Sequence, residues 1–345
     1  MKIAERLIGK GEPAFVVAEM SANHNQDLEL AKKTIKAAAE SGADAIKLQT
    51  YTPDTMTIDC DNDCFRIKQD TVWDGQNLHG LYKTAYTPWE WHEELKKLSE
   101  SLGLVFFSTP FDKTAVDFLE KLDVPAYKIA SFEITDIPLI EHIAKMGKPI
   151  IFSTGIAGKE DIQAVIDICK KNDVDFAILK CTSAYPAPYD ELNLRIISDM
   201  QDRFQAVVGL SDHTLGKDIA IASIALGAKI IEKHLILDRK LGGPDATFSM
   251  EPSEFKEMVK SIRNVERALG RPSYELTQKM VKGRELSRSL FVVQDVKKGE
   301  PLTEKNVRSI RPGYGMHPKH LGEILGKKAL MDLKRGTPLR EDMVG

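Results

Sequence analysis

The feature that most constrains the fold is an eightfold alternation of a short apolar run with a longer segment of helical period. Strands that are apolar on both faces, each followed by a helix, indicate a parallel sheet covered by helices. Eight such units over about 250 residues match a (β/α)₈ (TIM) barrel in number and length. A doubly wound open sheet needs fewer strands and usually a Gly-rich first turn, which is missing. The runs are AFVVAEM, AIKLQTY, LVFFSTPF, AYKIASFE, PIIFSTG, FAILKCTSAYP, AVVGLSDHT and IIEKHLILD.

The repeat ends near residue 270, so we predict a TIM-barrel catalytic domain over residues 1–270. Residues 271–283 are polar and are predicted to form a linker. Residues 284–345 contain short β-prone runs with KKG and KRG turns, which indicates a second, small β-rich domain.

Composition excludes several classes of function. The hydrophobic content of 42% and the charged content of 29% predict a packed core. A net charge of −3 offers no basic surface for nucleic acid or for an anionic membrane. The amino terminus lacks the apolar core of a signal peptide, and no run is long enough to span a membrane, so we expect a cytoplasmic protein. We expect reduced thiols at all four cysteines, because the one C-x3-C pair has no second pair to complete a zinc site.

Reactive side chains stand at the end of every predicted strand. In a barrel these ends share one face, which is where active sites lie. The same change from apolar to polar residues on all eight runs therefore predicts a catalytic face. The residues are Glu19, Lys47, Gln49, Ser108, Thr109, Lys128, Ser131, Glu133, Ser153, Thr154, Thr182, Tyr185, Ser211, His213 and His234.

Two histidines, His213 and His234, end consecutive predicted strands. Neighbouring parallel strands lie about 4.8 Å apart, so the two imidazoles could share one divalent cation. Two neutral histidine ligands leave coordination positions open, as a catalytic Lewis acid requires. The alternative is a pair of hydrogen-bonded histidines that stabilises the barrel rim.

Three lysines, Lys47, Lys128 and Lys180, lie on even-numbered strands and could converge on the barrel axis. With the hydroxyls of Thr109, Ser131, Ser153 and Ser211 they could bind a small polyanion such as a phosphorylated carboxylate. A single desolvated lysine that forms a Schiff base is a second possibility. A salt-bridged barrel interior without catalytic function is the third.

Three acidic residues complete the candidate site. Glu19 and Glu133 could move protons or orient water, or could simply neutralise one of the lysines. Asp245 lies in the Gly/Pro-rich loop GGPDATFSMEP that follows the eighth strand. It could bind sugar hydroxyls or could fix the turn.

The strand-end motifs, taken in order, resemble those of the sialic acid (nonulosonic acid) synthase family. The tail LFVVQDVKKGEPLTEKNVRSIRPGYG is similar to the C-terminal antifreeze-like (SAF) domain of that family. The resemblance covers essentially the whole chain. The motifs that carry it are VAEMSANHNQD, KLQTY, FFSTPFD, KIASFE, FSTG, CTSAYP, GLSDHT, EKHLILD and GPD.

The resemblance implies condensation of phosphoenolpyruvate with the open-chain aldehyde of an N-acetylated amino sugar. The products would be a nine-carbon 2-keto sugar acid and phosphate, released by C–O cleavage. His213 and His234 would hold Mn²⁺ or Mg²⁺, while Glu19 and Glu133 would handle protons and water. The residues implied to bind phosphoenolpyruvate are Lys47, Thr109, Lys128, Ser131, Ser153 and Ser211.

The resemblance also implies a sugar site and a subunit arrangement. Gln49, Tyr185 and Asp245 would contact the sugar. Arg311, in RPGYG, would reach the other subunit's site, which implies a domain-swapped homodimer. Given the tail, a non-catalytic carbohydrate- or ice-binding protein is the alternative from a different class. A binding module of that kind does not require reactive side chains at the ends of all eight strands.

Within the family, SANHNQ, LYKTAYTPWEWH and CTSAYPAP are most similar to the branch that makes pseudaminic acid. Members that make N-acetylneuraminate typically carry Asn where this chain has Ser183, and His with a basic residue after GPD. Here Ala246, Thr247 and Phe248 follow. Fewer polar groups and an added aromatic ring favour a less hydroxylated sugar of the 6-deoxy-2,4-diacetamido-altrose type over N-acetylneuraminate or legionaminate precursors.

Overall fold

The structure, a computed structural model, describes residues 1–68 and 73–345. Eight parallel strands close into a barrel, each paired with the next, and the eighth is paired with the first. The predicted TIM barrel is therefore confirmed. Its strands are β1 (Phe15–Glu19), β2 (Ala45–Thr50), β3 (Val105–Pro110), β4 (Tyr127–Ile129), β5 (Ile150–Ser153), β6 (Phe176–Cys181), β7 (Val207–Asp212) and β8 (Ile230–His234).

A helix follows each strand and covers the outside of the barrel. The first of them, α1, is capped by Asp27, whose carboxylate accepts hydrogen bonds from the backbone N–H groups of Glu29 and Leu30. The long connection after β2 adds the helices α2 and α3. The helices are α1 (Leu28–Glu40), α2 (Pro53–Met56), α3 (Leu78–Ala85), α4 (His92–Ser101), α5 (Lys113–Lys121), α6 (Ile137–Ala144), α7 (Lys159–Lys171), α8 (Ile196–Phe204), α9 (Asp218–Ala225) and α10 (Pro252–Leu269).

Two apolar layers result from the alternation of side chains along each strand. Outward residues such as Val16, Ile46 and Ile178 pack with the helices. The inward residues form a separate cluster inside the barrel, towards the amino-terminal ends of the strands. Ile3, in the hairpin that pairs Lys2–Ile3 with Arg6–Leu7, and the following Ile8 belong to this cluster. The interior is therefore packed with side chains at one end, and chemistry is confined to the carboxyl ends of the strands.

Met1–Gly270 and Arg271–Gly345 form two compact units. The second unit contains an antiparallel pair of strands and an apolar core of its own. Its first helix lies inside the segment that was predicted to be a linker. The elements are α11 (Gln278–Gly283), β9 (Ser289–Val292), β10 (Val307–Ile310) and α12 (Leu321–Ile324). No helix within the described ranges is long and apolar enough to cross a membrane.

Candidate active site

A cavity of about 620 Å³ opens at the carboxyl ends of the strands. Side chains from β1, β2, β4, β5, β6, β7 and β8 and from the segments that follow β1, β2, β3, β4, β6, β7 and β8 line it. They include most of the residues that the strand-end pattern singled out. Members of the predicted set that line the cavity are Glu19, Lys47, Gln49, Lys128, Ser131, Glu133, Ser153, Tyr185, Ser211, His213, His234 and Asp245.

Two of the three predicted lysines converge in this cavity. The Lys47 ammonium lies 2.8 Å from a Glu19 carboxylate oxygen and donates a 3.1 Å hydrogen bond to Thr109 Oγ1. The Lys128 ammonium donates to Ser153 Oγ at 2.7 Å. Both lysines are buried, at 3% and 2% exposure, so their charges are strong local fields for an anionic ligand.

The third lysine was predicted wrongly. Ala177 and Leu179 of β6 belong to the inner cluster, and Ile178 belongs to the outer one. Because neighbouring side chains alternate between faces, Lys180 points outward with Ile178. Its ammonium donates to the Cys181 carbonyl at 2.6 Å and to Thr182 Oγ1 at 3.2 Å, beside a crevice formed with α7 and α8.

Two inward residues were missed by the sequence reading. Cys181 takes the inner position on β6, with its sulfur 3.7 Å from His213 Nδ1. Burial would raise the pKa of this thiol, but His213 beside it lowers the pKa to about 7. Glu232 of β8 lies 3.5 Å from the ammonium groups of both Lys47 and Lys128. Counting back by twos from His234 would have found Glu232, because alternate residues share a face.

The carboxylates and lysines perturb one another. Burial raises the pKa of Glu19 to about 7, although Lys47 opposes the rise. Burial raises the pKa of Glu133 to about 7 as well. Burial also lowers the pKa of Lys128, which Glu232 only partly offsets. Two carboxyl groups that change protonation near neutral pH are suited to general acid–base work.

The predicted hydroxyl groups of Ser131 and Ser211 are held in place by neighbouring groups of the site. Ser131 Oγ accepts a 3.0 Å hydrogen bond from the Gly155 backbone N–H, and Ser211 Oγ lies 3.5 Å from Glu232. A Cβ at position 155 would lie 1.9 Å from Ser183 Oγ and 2.7 Å from Ser131 Oγ. Glycine is therefore required there for the backbone to approach both serines.

The two histidines are neighbours at the mouth of the barrel. Their ring centroids are 5.4 Å apart, and they lie on adjacent strand ends as predicted. His213 Nδ1 lies 3.1 Å from the Thr182 carbonyl, which can only accept, so in the neutral ring the proton belongs on Nδ1 and the Nε2 lone pair faces away from that bond. Asp212, between Ser211 and His213, faces outward and pairs with Lys233 at 2.7 Å.

These residues fit an open metal site rather than a closed one. Burial lowers the pKa of His234 well below its ordinary value, which keeps the ring neutral, as a ligand must be. Its Nδ1 is buried with no hydrogen-bond partner in the described chain and lies 3.8 Å from Asp245 Oδ2. Among the described residues no cluster of three or more His, Cys, Asp or Glu side chains forms a complete ligand set. Any cation would therefore need oxygen ligands from substrate or water.

The predicted sugar-binding residues lie in two different units. Gln49, Tyr185 and Asp245 line the cavity, and the Tyr185 ring centroid is 4.4 Å from that of His213. Asp245 Oδ2 accepts a 3.2 Å hydrogen bond from the Ala22 backbone N–H. Arg311 belongs to the second compact unit, where it is exposed.

Comparison with known proteins identifies the family. The model of the NeuB family matches residues 34–274, and the SAF domain matches residues 287–345. The chain belongs to the NeuB family. The predicted resemblance to sialic acid synthases with an antifreeze-like tail is thus confirmed.

Two relatives of known name and one solved structure align with most of this chain. A pseudaminic acid synthase of Helicobacter pylori is 49% identical over 96% of this chain and 98% of its own length. One from Campylobacter jejuni is 46% identical over 95% of each. The N-acetylneuraminic acid synthetase of Leptospira borgpetersenii, crystallised with citrate, aligns with a TM-score of 0.74 at 32% identity, covering 82% of this chain and 94% of the other.

Proposed function

We propose that this chain is a transferase that condenses phosphoenolpyruvate with 2,4-diacetamido-2,4,6-trideoxy-altrose to form pseudaminic acid and phosphate. The observation that carries the proposal is one cavity in which a buried pair of lysines faces two neighbouring histidines. The relatives at 46% and 49% identity are named pseudaminic acid synthases, which favours this sugar over N-acetylneuraminate or legionaminate precursors.

Phosphoenolpyruvate carries a phosphate and a carboxylate, and the site offers two cations for them. Lys47 and Lys128 would bind these groups by charge-assisted hydrogen bonds. Thr109, Ser131, Ser153 and Ser211 would supply the neutral donors around them. The Glu232 carboxylate lies 3.5 Å from both ammonium groups, which keeps the lysines charged and close together before the substrate binds.

The aldehyde end of the sugar would lie at the histidines. His213 and His234 would hold Mn²⁺ or Mg²⁺, which when bound supplies Lewis-acid polarisation of the aldehyde oxygen. The Thr182 carbonyl holds the His213 ring in one tautomer and orientation. Tyr185, Gln49 and Asp245 would then position the sugar chain.

The reaction forms one C–C bond and breaks one C–O bond. The methylene carbon of phosphoenolpyruvate attacks the aldehyde carbon, whose oxygen takes up a proton to become a hydroxyl. Water adds at C2 and loses one proton, and the resulting C2 hydroxyl loses its second proton as the C2–O bond to phosphate breaks to leave the ketone. Glu19 and Glu133, with pKa values raised to about 7, would accept the two protons that water gives up and return one to the new hydroxyl and one to the departing phosphate.

Phosphoenolpyruvate labelled with ¹⁸O in the bridging position tests the proposal. We expect the label to appear in phosphate, and phosphate to be released only when an amino sugar is also present. In a panel of sugars, the 6-deoxy-2,4-diacetamido-altrose should give the highest kcat/KM. Highest activity with an N-acetylneuraminate or legionaminate precursor would assign the chain to that alternative.

A Schiff-base aldolase predicts a different result. Borohydride added during turnover would reduce an imine at Lys47 or Lys128 and leave a covalent adduct, detectable by mass spectrometry of the intact protein. We expect no adduct. A trapped lysine adduct together with phosphate that carries no ¹⁸O would contradict the proposed mechanism and favour the Schiff-base aldolase.

The pH dependence of stability tests the state of Glu133. Its pKa is about 7 in the folded chain against an ordinary 4.5, so charging it destabilises the fold as pH rises through that window. Relative to wild type, Glu133→Gln should therefore gain up to about 3 kcal/mol in free energy of unfolding between pH 4.5 and 7. Urea denaturation at several pH values measures the difference.

Glu257→Gln is the matched control for this measurement. Glu257 is exposed, and Lys217 lowers its pKa. Its contribution to stability is therefore lost as pH falls, and the Glu257→Gln difference should have the opposite slope. A Glu133→Gln difference that does not change with pH would contradict the assigned protonation.

That the chain forms a homodimer in which Arg311 reaches the partner's site is a prediction. A cytoplasmic location is a second prediction. We propose that Arg311 of one subunit completes its partner's site. Deleting residues 284–345 should then leave a folded barrel whose turnover falls by about 10²-fold or more. Circular dichroism checks the fold, and Arg311→Ala in the full chain is the companion variant. Near-normal turnover in both variants would remove this role for Arg311.

A further inference from the structure

Three aromatic side chains form a continuous wall beside the histidines, and we call Trp73, Tyr185 and Phe248 the aromatic wall. Their ring centroids are 5.3 Å apart for Trp73 and Tyr185, 5.2 Å for Tyr185 and Phe248, and 6.4 Å for Trp73 and Phe248. Trp73 and Tyr185 line the cavity, and Phe248 is buried behind them at 2% exposure. The sequence reading did not identify Trp73.

The wall begins at the histidines and leads away from them. Phe248 lies 5.0 Å from His234, and Tyr185 lies 4.4 Å from His213, by ring centroids. Trp73 is one further ring away. An extended six-carbon chain spans about 6 Å from its first to its last carbon, given C–C bonds of about 1.5 Å. With the aldehyde at the histidines, a sugar that lies along the aromatic wall is therefore long enough for its far end to reach Trp73.

The indole N–H of Trp73, which is the group of this side chain that could bind a hydroxyl, already has a hydrogen-bond partner. The indole N–H donates a 3.0 Å hydrogen bond to the Pro244 carbonyl, which also fixes the indole against the loop after β8. The ring face and edge offer apolar surface. Three further aromatic residues, Tyr51, Tyr82 and Phe111, also line the cavity, and Tyr51 packs edge to face against the other two. A hydroxyl placed against the indole face would gain no hydrogen bond from the ring in place of those it loses to water.

We propose that Trp73 is a specificity-determining residue whose indole packs against the methyl group at C6 of the sugar. It would select 6-deoxy substrates over their 6-hydroxy counterparts. This inference rests on the proposed function and assigns a role within the same site. Phe248 is a positioning residue, since it supports Tyr185 and both imidazoles from behind.

The test compares two sugars that differ only at C6: 2,4-diacetamido-2,4,6-trideoxy-altrose and its 6-hydroxy analogue. The readout is the ratio of kcat/KM for the two sugars, measured by phosphate release at saturating phosphoenolpyruvate. An apolar pocket discriminates against an added hydroxyl by up to about 10²-fold, so we expect wild type to prefer the 6-deoxy sugar by 10- to 100-fold, roughly. Trp73→Ala should lower this ratio to within about threefold of one, and Trp73→Phe should retain most of it.

Two controls separate recognition from loop folding. The KM for phosphoenolpyruvate should stay unchanged in both Trp73 variants, because its cradle lies on the strands. Trp89→Phe, which keeps a ring stacked on Phe118 outside the cavity, should leave the sugar ratio unchanged. If Trp73→Ala lowers kcat/KM equally for both sugars, the residue only folds the loop and the inference is overturned.

Failure of the proposed function would look different. In that case wild type itself would release no phosphate with the 6-deoxy sugar, or would prefer the 6-hydroxy analogue. An active wild type that prefers the 6-deoxy sugar, combined with a Trp73→Ala ratio equal to the wild-type ratio, would reject the role of Trp73 alone.

Discussion

Replacing Lys128 with methionine is expected to lower kcat/KM for phosphoenolpyruvate by about 10³-fold, since removing one partner of a buried, hydrogen-bonded charge pair between protein and ligand costs about 2–5 kcal/mol of binding. The change removes a cation that is 2% exposed and leaves Glu232 facing an incoming anion. Steady-state kinetics at varied phosphoenolpyruvate measures the effect. The KM for phosphoenolpyruvate should rise more than the KM for the sugar.

Lys180→Met is the matched control on the next even strand. The Lys180 side chain points outward and bonds only to the Cys181 carbonyl and to Thr182 among the described residues, so we expect kcat/KM within about threefold of wild type. The double variant Lys128→Met/Glu232→Gln separates folding from binding. It should recover part of the stability, because the buried Glu232 carboxylate, which keeps only Lys47 of its two lysine partners in the single variant, is replaced by a neutral amide, but it should not recover activity. Equal losses in Lys128→Met and Lys180→Met would contradict the proposed cradle.

Replacing His234 with alanine is expected to lower metal-dependent turnover by about 10³-fold, because a two-histidine site retains a single protein ligand. In wild type, a chelator should abolish turnover and Mn²⁺ should restore it. In His234→Ala, added Mn²⁺ should not restore turnover. Calorimetric titration with Mn²⁺ should show the loss of affinity directly, without reference to activity.

The barrel should survive this change. His234 Nδ1 has no hydrogen-bond partner in the described chain, so its removal breaks no bond that the fold uses. His142→Ala is the control, because His142 pairs with Asp117 on the helical exterior. Undiminished Mn²⁺ affinity in His234→Ala would rule out this histidine as a metal ligand.

Much of the architecture could be predicted because strand and helix periods are local properties of the chain. Eight apolar runs alternate with amphipathic segments, and in a parallel barrel this alternation leaves one arrangement for the strand ends. The proximity of His213 and His234 could be predicted from the sequence, since they end consecutive strands. The repeating sequence pattern ends near residue 270, and the first compact unit ends at Gly270.

The errors and omissions share a physical cause. Strands buried on both faces carry no alternation of apolar and polar residues, so their inward positions cannot be identified from composition. Lys180 was therefore assigned to the interior, while Cys181 and Glu232 were missed. Trp73 was missed for another reason. It lies on a long loop after β2, and nothing local predicts that its indole meets Pro244, which is distant in sequence.

The sequence by itself determined the order of the elements and the reactive residue types that stand at the rim, because both depend on short-range periodicity and spacing. Only the tertiary structure decided which of those side chains meet. Closure of the barrel sets the face of every strand residue. It brings a carboxylate oxygen of Glu232 to 3.5 Å from the ammonium groups of both Lys47 and Lys128. Burial in that shared space then moves the pKa values of Glu19 and Glu133 toward neutrality, an effect that exists only once water has been excluded.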